Sequence, residues 1–224
     1  MYSTDATAIH PSILNCDFMQ IGAELDRIAT AQAAHVDVMD NHFVPNLTFG
    51  ASMVEQIVRR SPIPVDAHLM IENADTQAPL FAEAGAQSVT FHLEASAAPI
   101  RLARELRRKN VAVGLALRPA TPIEPILDFI GEFDMLLIMT VEPGFGGQAF
   151  LDVMLPKIRR ARSAISASHL DVSIQVDGGI SASTIERAAD AGANVFVAGS
   201  AIYKAPDAAK EIETLRALAT AHRH

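Results

Sequence analysis

Eight short apolar runs, each followed by a stretch of helical periodicity, recur from one end of this chain to the other, and few folds accommodate that alternation. The runs span residues 8–14, 35–39, 64–70, 87–92, 111–117, 134–140, 172–177 and 194–198. Between them the apolar spacing changes from two to that of a helix. Phe18, Ile21, Leu25 and Ile28 recur on one face, as do Met154, Ile158, Ala161 and Ile165. Ser183 with Glu186 reads as a capping box and Gly192 as a C-terminal cap. Strand-then-helix units of about 28 residues predict a closed (β/α)8 barrel, a TIM barrel at the short end of its size range. No linker or low-complexity tract interrupts them, so residues 1–224 read as one domain. An open doubly wound sheet is the other arrangement of such units, but no G-x-G-x-x-G follows the first run.

Composition narrows the function classes. Half of the 224 residues are hydrophobic and a fifth charged, enough for one large core. A net charge of −8 argues against nucleic acid and acidic membranes as partners, and Arg107-Arg108-Lys109 is a short basic triplet of the kind found on solvated helix faces. The single cysteine, Cys16, excludes an internal disulfide framework. Met1-Tyr2-Ser3-Thr4-Asp5 lacks the charged and apolar regions of a secretory signal, and no run reaches membrane-span length. A cytoplasmic enzyme is the expectation.

In such a barrel the chemistry lies at the carboxyl ends of the strands. His35 and Asp37, two apart on a β-branched run, point to one side; His68 follows near the end of the third run and Asp177 ends the seventh. A lone buried histidine is more often a hydrogen-bonded core residue than a ligand. Four ionisable groups converging on one mouth are a different matter, because they are costly to desolvate unless a divalent cation offsets the carboxylates. Mixed nitrogen and oxygen ligation suits zinc, iron(II), manganese or cobalt and does not choose among them. Asp37 and Asp177, facing each other across the mouth, form a candidate acid and base pair. Met39 and Met70 share the inward face with these residues. Together with Met139 they read either as core filling or as a dry lining of a reaction centre.

Three glycine-bearing turns offer the other half of a site. Gly144-Phe145-Gly146-Gly147 follows the sixth strand, Gly178-Gly179 the seventh and Gly199-Ser200 the eighth. Barrel phosphate sites are built from loops after the last two strands, so a phosphorylated substrate is expected. The glycine-rich segment 140–150, carrying Phe145, is a candidate lid.

These blocks, in order from Ile9 to Tyr203, resemble those of the ribulose-phosphate 3-epimerase family. The resemblance rests on His10-Pro11-Ser12-Ile13-Leu14, Asp37-Val38-Met39-Asp40 with Phe43-Val44-Pro45-Asn46, and Asp66-Ala67-His68-Leu69-Met70. It extends through Val141-Glu142-Pro143-Gly144-Phe145-Gly146-Gly147-Gln148, Val176-Asp177-Gly178-Gly179 and Ala198-Gly199-Ser200-Ala201-Ile202. It implies a metal-dependent interconversion of D-ribulose 5-phosphate and D-xylulose 5-phosphate in the pentose phosphate pathway, by a homo-oligomer. It further implies that His35, Asp37, His68 and Asp177 ligate the metal and that Asp37 and Asp177 act as acid and base. Ser12, His68, the Gly144–Gly147 loop, Gly178, Gly179, Gly199 and Ser200 match the family's substrate contacts. His10, Asn15, Cys16 and Arg118 depart from its commoner residues, and Asn15 and Arg118 are candidates to border the pocket.

Competing chemistries lack their residues. A Schiff-base aldolase needs a lysine inside the barrel, and Lys109, Lys157, Lys204 and Lys210 all fall outside the strand ends. A decarboxylase barrel of related architecture would carry Asp-x-Lys-x-x-Asp where this chain has Asp66-Ala67-His68-Leu69-Met70-Ile71. A non-catalytic sugar-phosphate sensor has no use for opposed metal-bound carboxylates. The sister reaction on a six-carbon ketose phosphate such as allulose 6-phosphate shares every catalytic residue and stays open.

Overall fold

The computed structural model describes residues 6–222; the polar start at residues 1–5 lies outside them. Eight strands run β1 (Ala8–Pro11), β2 (Ala34–Met39), β3 (Val65–Met70), β4 (Ser88–His92), β5 (Ala112–Leu117), β6 (Met135–Met139), β7 (Ser173–Asp177) and β8 (Val195–Ala198). All neighbours are parallel, in the order β1-β8-β7-β6-β5-β4-β3-β2. At the last seam a single parallel bridge, Ser12 to His35, joins the ends of the sheet and makes a (β/α)8 barrel. Gln32 reinforces that seam: its side-chain oxygen accepts from the Ile9 N–H at 2.9 Å and its own N–H donates to the Ile9 carbonyl at 3.3 Å.

The helices are α1 (Ile21–Arg27), α2 (Ala51–Arg60), α3 (Ala74–Glu83), α4 (Pro99–Arg108), α5 (Leu155–Ala167), α6 (Ile185–Asp190), α7 (Ser200–Tyr203) and α8 (Ala208–Ala221). After β5 the connection is a 3-10 segment, Glu124–Glu132, instead of an α-helix. Pro122 and Pro125 remove backbone donors at its start and Gly131 weakens its end.

Period-two alternation divides each strand between two environments. Val36, Val38, Ala67, Leu69, Val89, Phe91, Leu136, Ile138, Ile174 and Val176 face outward into the layer shared with the helices. Burying such a side chain contributes about 1.5–3 kcal/mol, so this ring holds the barrel together. The inward set is far more polar, with His10, His35, Asp66, His68, Ser88, Thr90, His92 and Gln175 all buried.

Three local expectations change. The first strand ends at Pro11, and residues 13–15 form a 3-10 turn, because the Ser12 side chain caps it by accepting from the Leu14 N–H at 3.3 Å. Phe18 precedes α1 and is 44% exposed; its ring packs on Phe49 with centroids 5.0 Å apart. Ser183 makes no capping box with Glu186: Thr184 precedes α6, and its hydroxyl donates to the Gly179 carbonyl at 2.8 Å, fastening the turn after β7. Gly192 does follow that helix, with φ +110° and its N–H on the Ala189 carbonyl.

One inward position has no room for a side chain. Gly114 on β5 lies in register with Thr90 on β4, and a Cβ there would fall 2.2 Å from Thr90 Oγ1 and 2.9 Å from its Cβ. Gly114→Ala should therefore destabilise by about 1–3 kcal/mol, overpacking outweighing the entropic gain of losing a glycine. Adding Thr90→Ala, which removes Oγ1 but keeps the Cβ, should restore part of the loss in chemical denaturation, whereas additive effects of the two changes would contradict the proposed contact.

Candidate active site

At the carboxyl ends of β2, β3 and β7, the side chains of His35, Asp37, His68 and Asp177 converge, their ligating atoms all within 4.8 Å of one another. His35 Nε2 stands 3.4 Å from Asp37 Oδ1, 3.4 Å from His68 Nδ1 and 3.9 Å from Asp177 Oδ2. His68 Nδ1 is 3.1 Å from Asp37 Oδ1 and 3.5 Å from Asp177 Oδ2. Four donors bonded at about 2.0–2.1 Å to a tetrahedral cation would lie about 3.3 Å apart. The cluster could thus hold a metal ion with little adjustment.

Asp37, His35 and His68 are each oriented by a partner outside the cluster. The Ser12 hydroxyl donates to Asp37 Oδ2 at 2.5 Å, which leaves Oδ1 turned to the cluster. The residue implied as a substrate contact therefore also positions a carboxylate. His35 donates through Nδ1–H to Asp66 Oδ2 at 2.9 Å, since a carboxylate can only accept, and its Nε2 faces the cluster. Behind His68, Nε2 lies 2.9 Å from His92 Nε2, and His92 Nδ1 lies 3.2 Å from Glu94 Oε2.

Burial opposes charge throughout, yet it does not decide every group. It lowers the affinity of His35 for a proton, but Asp37 and Asp66 beside it outweigh this and leave its pKa raised. His68 is raised in the same way by Asp177 and Asp37. Burial would raise Asp37, and the two imidazoles hold it below the usual carboxylate range. Asp66 is likewise held well below that range by His10 and His35. His92 goes the other way: burial, helped by His68, pushes it down to about 4 against the pull of Glu94, so the ring is neutral at pH 7. Glu94 overcomes its burial through His92, Thr121 and the Arg118 N–H and falls to about 2.

Above the cluster opens a cavity of about 410 Å³. Asp37 and Asp177 line its floor, whereas His35 and His68 are fully buried beneath it. Met39, Met70 and Met139 form its lower wall and are 1–2% exposed, so they serve both as core filling and as a dry lining. Ser12, Gly144, Phe145, Gly146, Gly147, Gly178, Gly179, Gly199 and Ser200 all reach it. Phe145 lines the cavity and is 55% exposed. Asn15 borders the cavity; Arg118 does not. The Arg118 guanidinium instead sits 3.9 Å over the Phe43 ring and donates to the Phe43 carbonyl at 2.6 Å.

The glycine turns are close approaches of backbone. Gly179 has φ +69°, and a Cβ there would lie 2.4 Å from the Phe150 N. Arg187 is the one basic side chain on the cavity wall among the described residues, and it is engaged with Asp152 at 2.6 Å and the Ser183 carbonyl at 2.6 Å. An anion bound at that end would be met by backbone N–H groups. Of the lysines, Lys157 lies on α5, where its ammonium donates to the Arg118, Pro119 and Thr121 carbonyls.

Several of these residues were not read from the sequence as functional. Asp66 lies two residues before His68 and so shares its inward face; His92 ends the fourth strand, with Glu94 two further on. The period-two spacing that identified His35 and Asp37 would have found Asp66 and His92; Glu94 lies beyond the strand, in a 3-10 turn over Leu93–Ala95.

Comparison with known proteins places the chain in a family. The sequence pattern of the ribulose-phosphate 3 epimerase family matches residues 8–203. A ribulose-phosphate 3-epimerase of Mycobacterium tuberculosis (strain ATCC 25618 / H37Rv) is 49% identical over 214 residues, covering 96% of this chain and 93% of the relative. Its counterpart from Escherichia coli (strain K12) is 43% identical over 212 residues, covering 93% and 94%. Among solved structures, 3-hexulose-6-phosphate synthase from Salmonella typhimurium superposes with a TM-score of 0.67 at 19% identity, over 96% of this chain and 100% of the other, a likeness of fold alone. With its family pattern running through every strand of the barrel, the chain belongs to the ribulose-phosphate 3-epimerase family.

Proposed function

We propose that the chain interconverts D-ribulose 5-phosphate and D-xylulose 5-phosphate by inverting C3, a step of the pentose phosphate pathway. One divalent ion (zinc, iron(II), manganese or cobalt) would be held by His35, Asp37, His68 and Asp177. The observation that carries the reading is the position of the two carboxylates. Of the four clustered residues, Asp37 and Asp177 alone line the cavity floor, and they come from β2 and β7, on different sides of the barrel.

Inverting a carbon next to a carbonyl requires removing its proton on one face and returning one on the other through a planar enediolate. A carboxylate on each side meets that need, one ionised and one protonated at a given moment. When bound, the ion supplies Lewis-acid stabilisation of the negative charge that develops on the substrate's oxygens. Ser12 holds Asp37 by its second oxygen, and Asp177, 15% exposed at the side chain, reaches furthest toward the substrate. Met39, Met70 and Met139 exclude water from the lower wall. The phosphate would lie against the Gly144–Gly147, Gly178-Gly179 and Gly199-Ser200 turns, with Phe145 closing over it.

The same reading takes residues 1–224 as one catalytic domain, working in the cytoplasm as a homo-oligomer. Exposed Phe18, Met19, Leu47 and Met53, in the segments after β1 and β2, support assembly of that kind. Among the described residues no helix is long and apolar enough to cross a membrane.

Two tests address the reading. Chelation should abolish turnover of D-ribulose 5-phosphate, and a divalent ion should restore it. Because His35 and His68 have raised pKa values without the ion, binding must displace protons from them. Metal affinity should therefore rise with pH until it passes the raised pKa values of the two histidines and level off above them, and calorimetry in buffers of different ionisation enthalpy should show proton release. Full activity in protein shown to be metal-free would refute the metal site. In the second test, kcat/KM on D-ribulose 5-phosphate should exceed that on allulose 6-phosphate; the reverse order would reassign the substrate to a six-carbon sugar.

A further inference from the structure

The proposed ligand His68 can bind an ion through Nδ1 only if its proton sits on Nε2, and a chain that runs from buried His92 out to solvent-accessible Glu94 dictates that choice. Glu94 lies at the far end. Its Oε1 accepts from the Arg118 backbone N–H at 2.9 Å and from the Thr121 hydroxyl, and its Oε2 faces His92 Nδ1 at 3.2 Å. A carboxylate has no proton to give, so His92 must carry its own on Nδ1. His92 Nε2 is then a lone pair, and the nitrogen 2.9 Å away, His68 Nε2, must be the donor. We propose that Glu94 and His92 are positioning residues that fix the tautomer of His68 in its neutral, ion-binding form, so that the proton released on ion binding comes from Nδ1, the nitrogen aimed at the Asp37–Asp177 gap. The proposal rests on the reading of His68 as a metal ligand. It assigns a role to two side chains that touch neither ion nor substrate.

Glu94→Gln tests this with almost no change of shape. The Arg118 N–H and the Thr121 hydroxyl both need an acceptor, so the amide oxygen takes the place of Oε1 and the amide NH2 turns to His92. His92 Nδ1 must then accept, its Nε2 becomes the donor, and neutral His68 is left with its proton on Nδ1, where the ion should bind. Glu94→Ala removes the constraint without reversing it. Zinc affinity, measured by competition with a chromogenic chelator, should fall about 10–100-fold in Glu94→Gln and by less in Glu94→Ala.

That order is the signature, since a merely structural glutamate would make the isosteric glutamine the milder change. In the zinc-loaded wild type, 15N spectra should show His68 protonated at Nε2. Wild-type affinity in Glu94→Gln, or a greater loss in Glu94→Ala, overturns the proposal. If Glu94→Gln fails to fold, a second pair replaces it. His92→Gln, whose amide oxygen can accept from His68, should bind zinc near the wild-type level while His92→Leu loses affinity, and equal affinities in the two would overturn the proposal. Should the wild type itself bind no zinc or other divalent ion, the metal reading fails, and this inference with it.

Discussion

One buried carboxylate organises the barrel interior. Asp66, fully enclosed on β3, accepts hydrogen bonds from His10 on β1, His35 on β2, Ser88 on β4 and Gln175 on β7. Burying an unpaired carboxylate would cost several kcal/mol. Four donors from four strands offset that cost and at the same time fix the rotation of those strands about the barrel axis. The arrangement also spans the weakest seam, since His10 and His35 flank the place where β1 and β2 share only a single bridge. By holding the proton of His35 on Nδ1, Asp66 directs the other ring nitrogen up toward Asp37 and Asp177. The polar layer below thus determines which lone pairs reach the layer above.

The upper layer is built on a conflict of charges. Two carboxylates and two imidazoles, three of the four almost without solvent, lie at separations that suit ligands of a small cation. Without an ion the imidazoles must hold protons to balance the carboxylates; with one they need not. The opposite end of the cavity is free of such groups. There the backbone folds into glycine turns, and the one arginine on the wall is paired elsewhere. A substrate with a reactive carbon at one end and a phosphate at the other fits this polarity, with the methionine wall between the two.

How much of this was legible in the sequence depended on how locally each feature is encoded. The strands were readable because outward residues such as Val36, Val38, Leu69 and Val176 must be apolar to meet the helices. The same alternation turned His35 and Asp37 inward together. Where tertiary contacts override local pattern, the reading failed. The run 8–14 looks like one strand, yet Ser12 turns it by capping and by donating to Asp37, a residue 25 positions away. Ser183 and Glu186 have capping-box spacing, but Thr184 is recruited to the turn after β7. Arg118 looked like a pocket residue because it follows a strand, and Phe43 draws it aside. Asp66 and His92 obey the spacing rule and were passed over because each alone resembles an ordinary buried polar residue, whereas Glu94 sits past the strand in a 3-10 turn, where the rule does not reach.

The central claim is that Asp37 and Asp177 serve opposite faces of one planar intermediate. Proton NMR of Asp37→Asn and Asp177→Asn in deuterated water, each variant checked by elemental analysis for its bound ion, tests it most directly. A variant that retains one base should wash deuterium into C3 of one epimer without inverting it, and the two variants should label opposite epimers. Labelling of the same epimer by both, or inversion at near wild-type rate in either, would contradict the account.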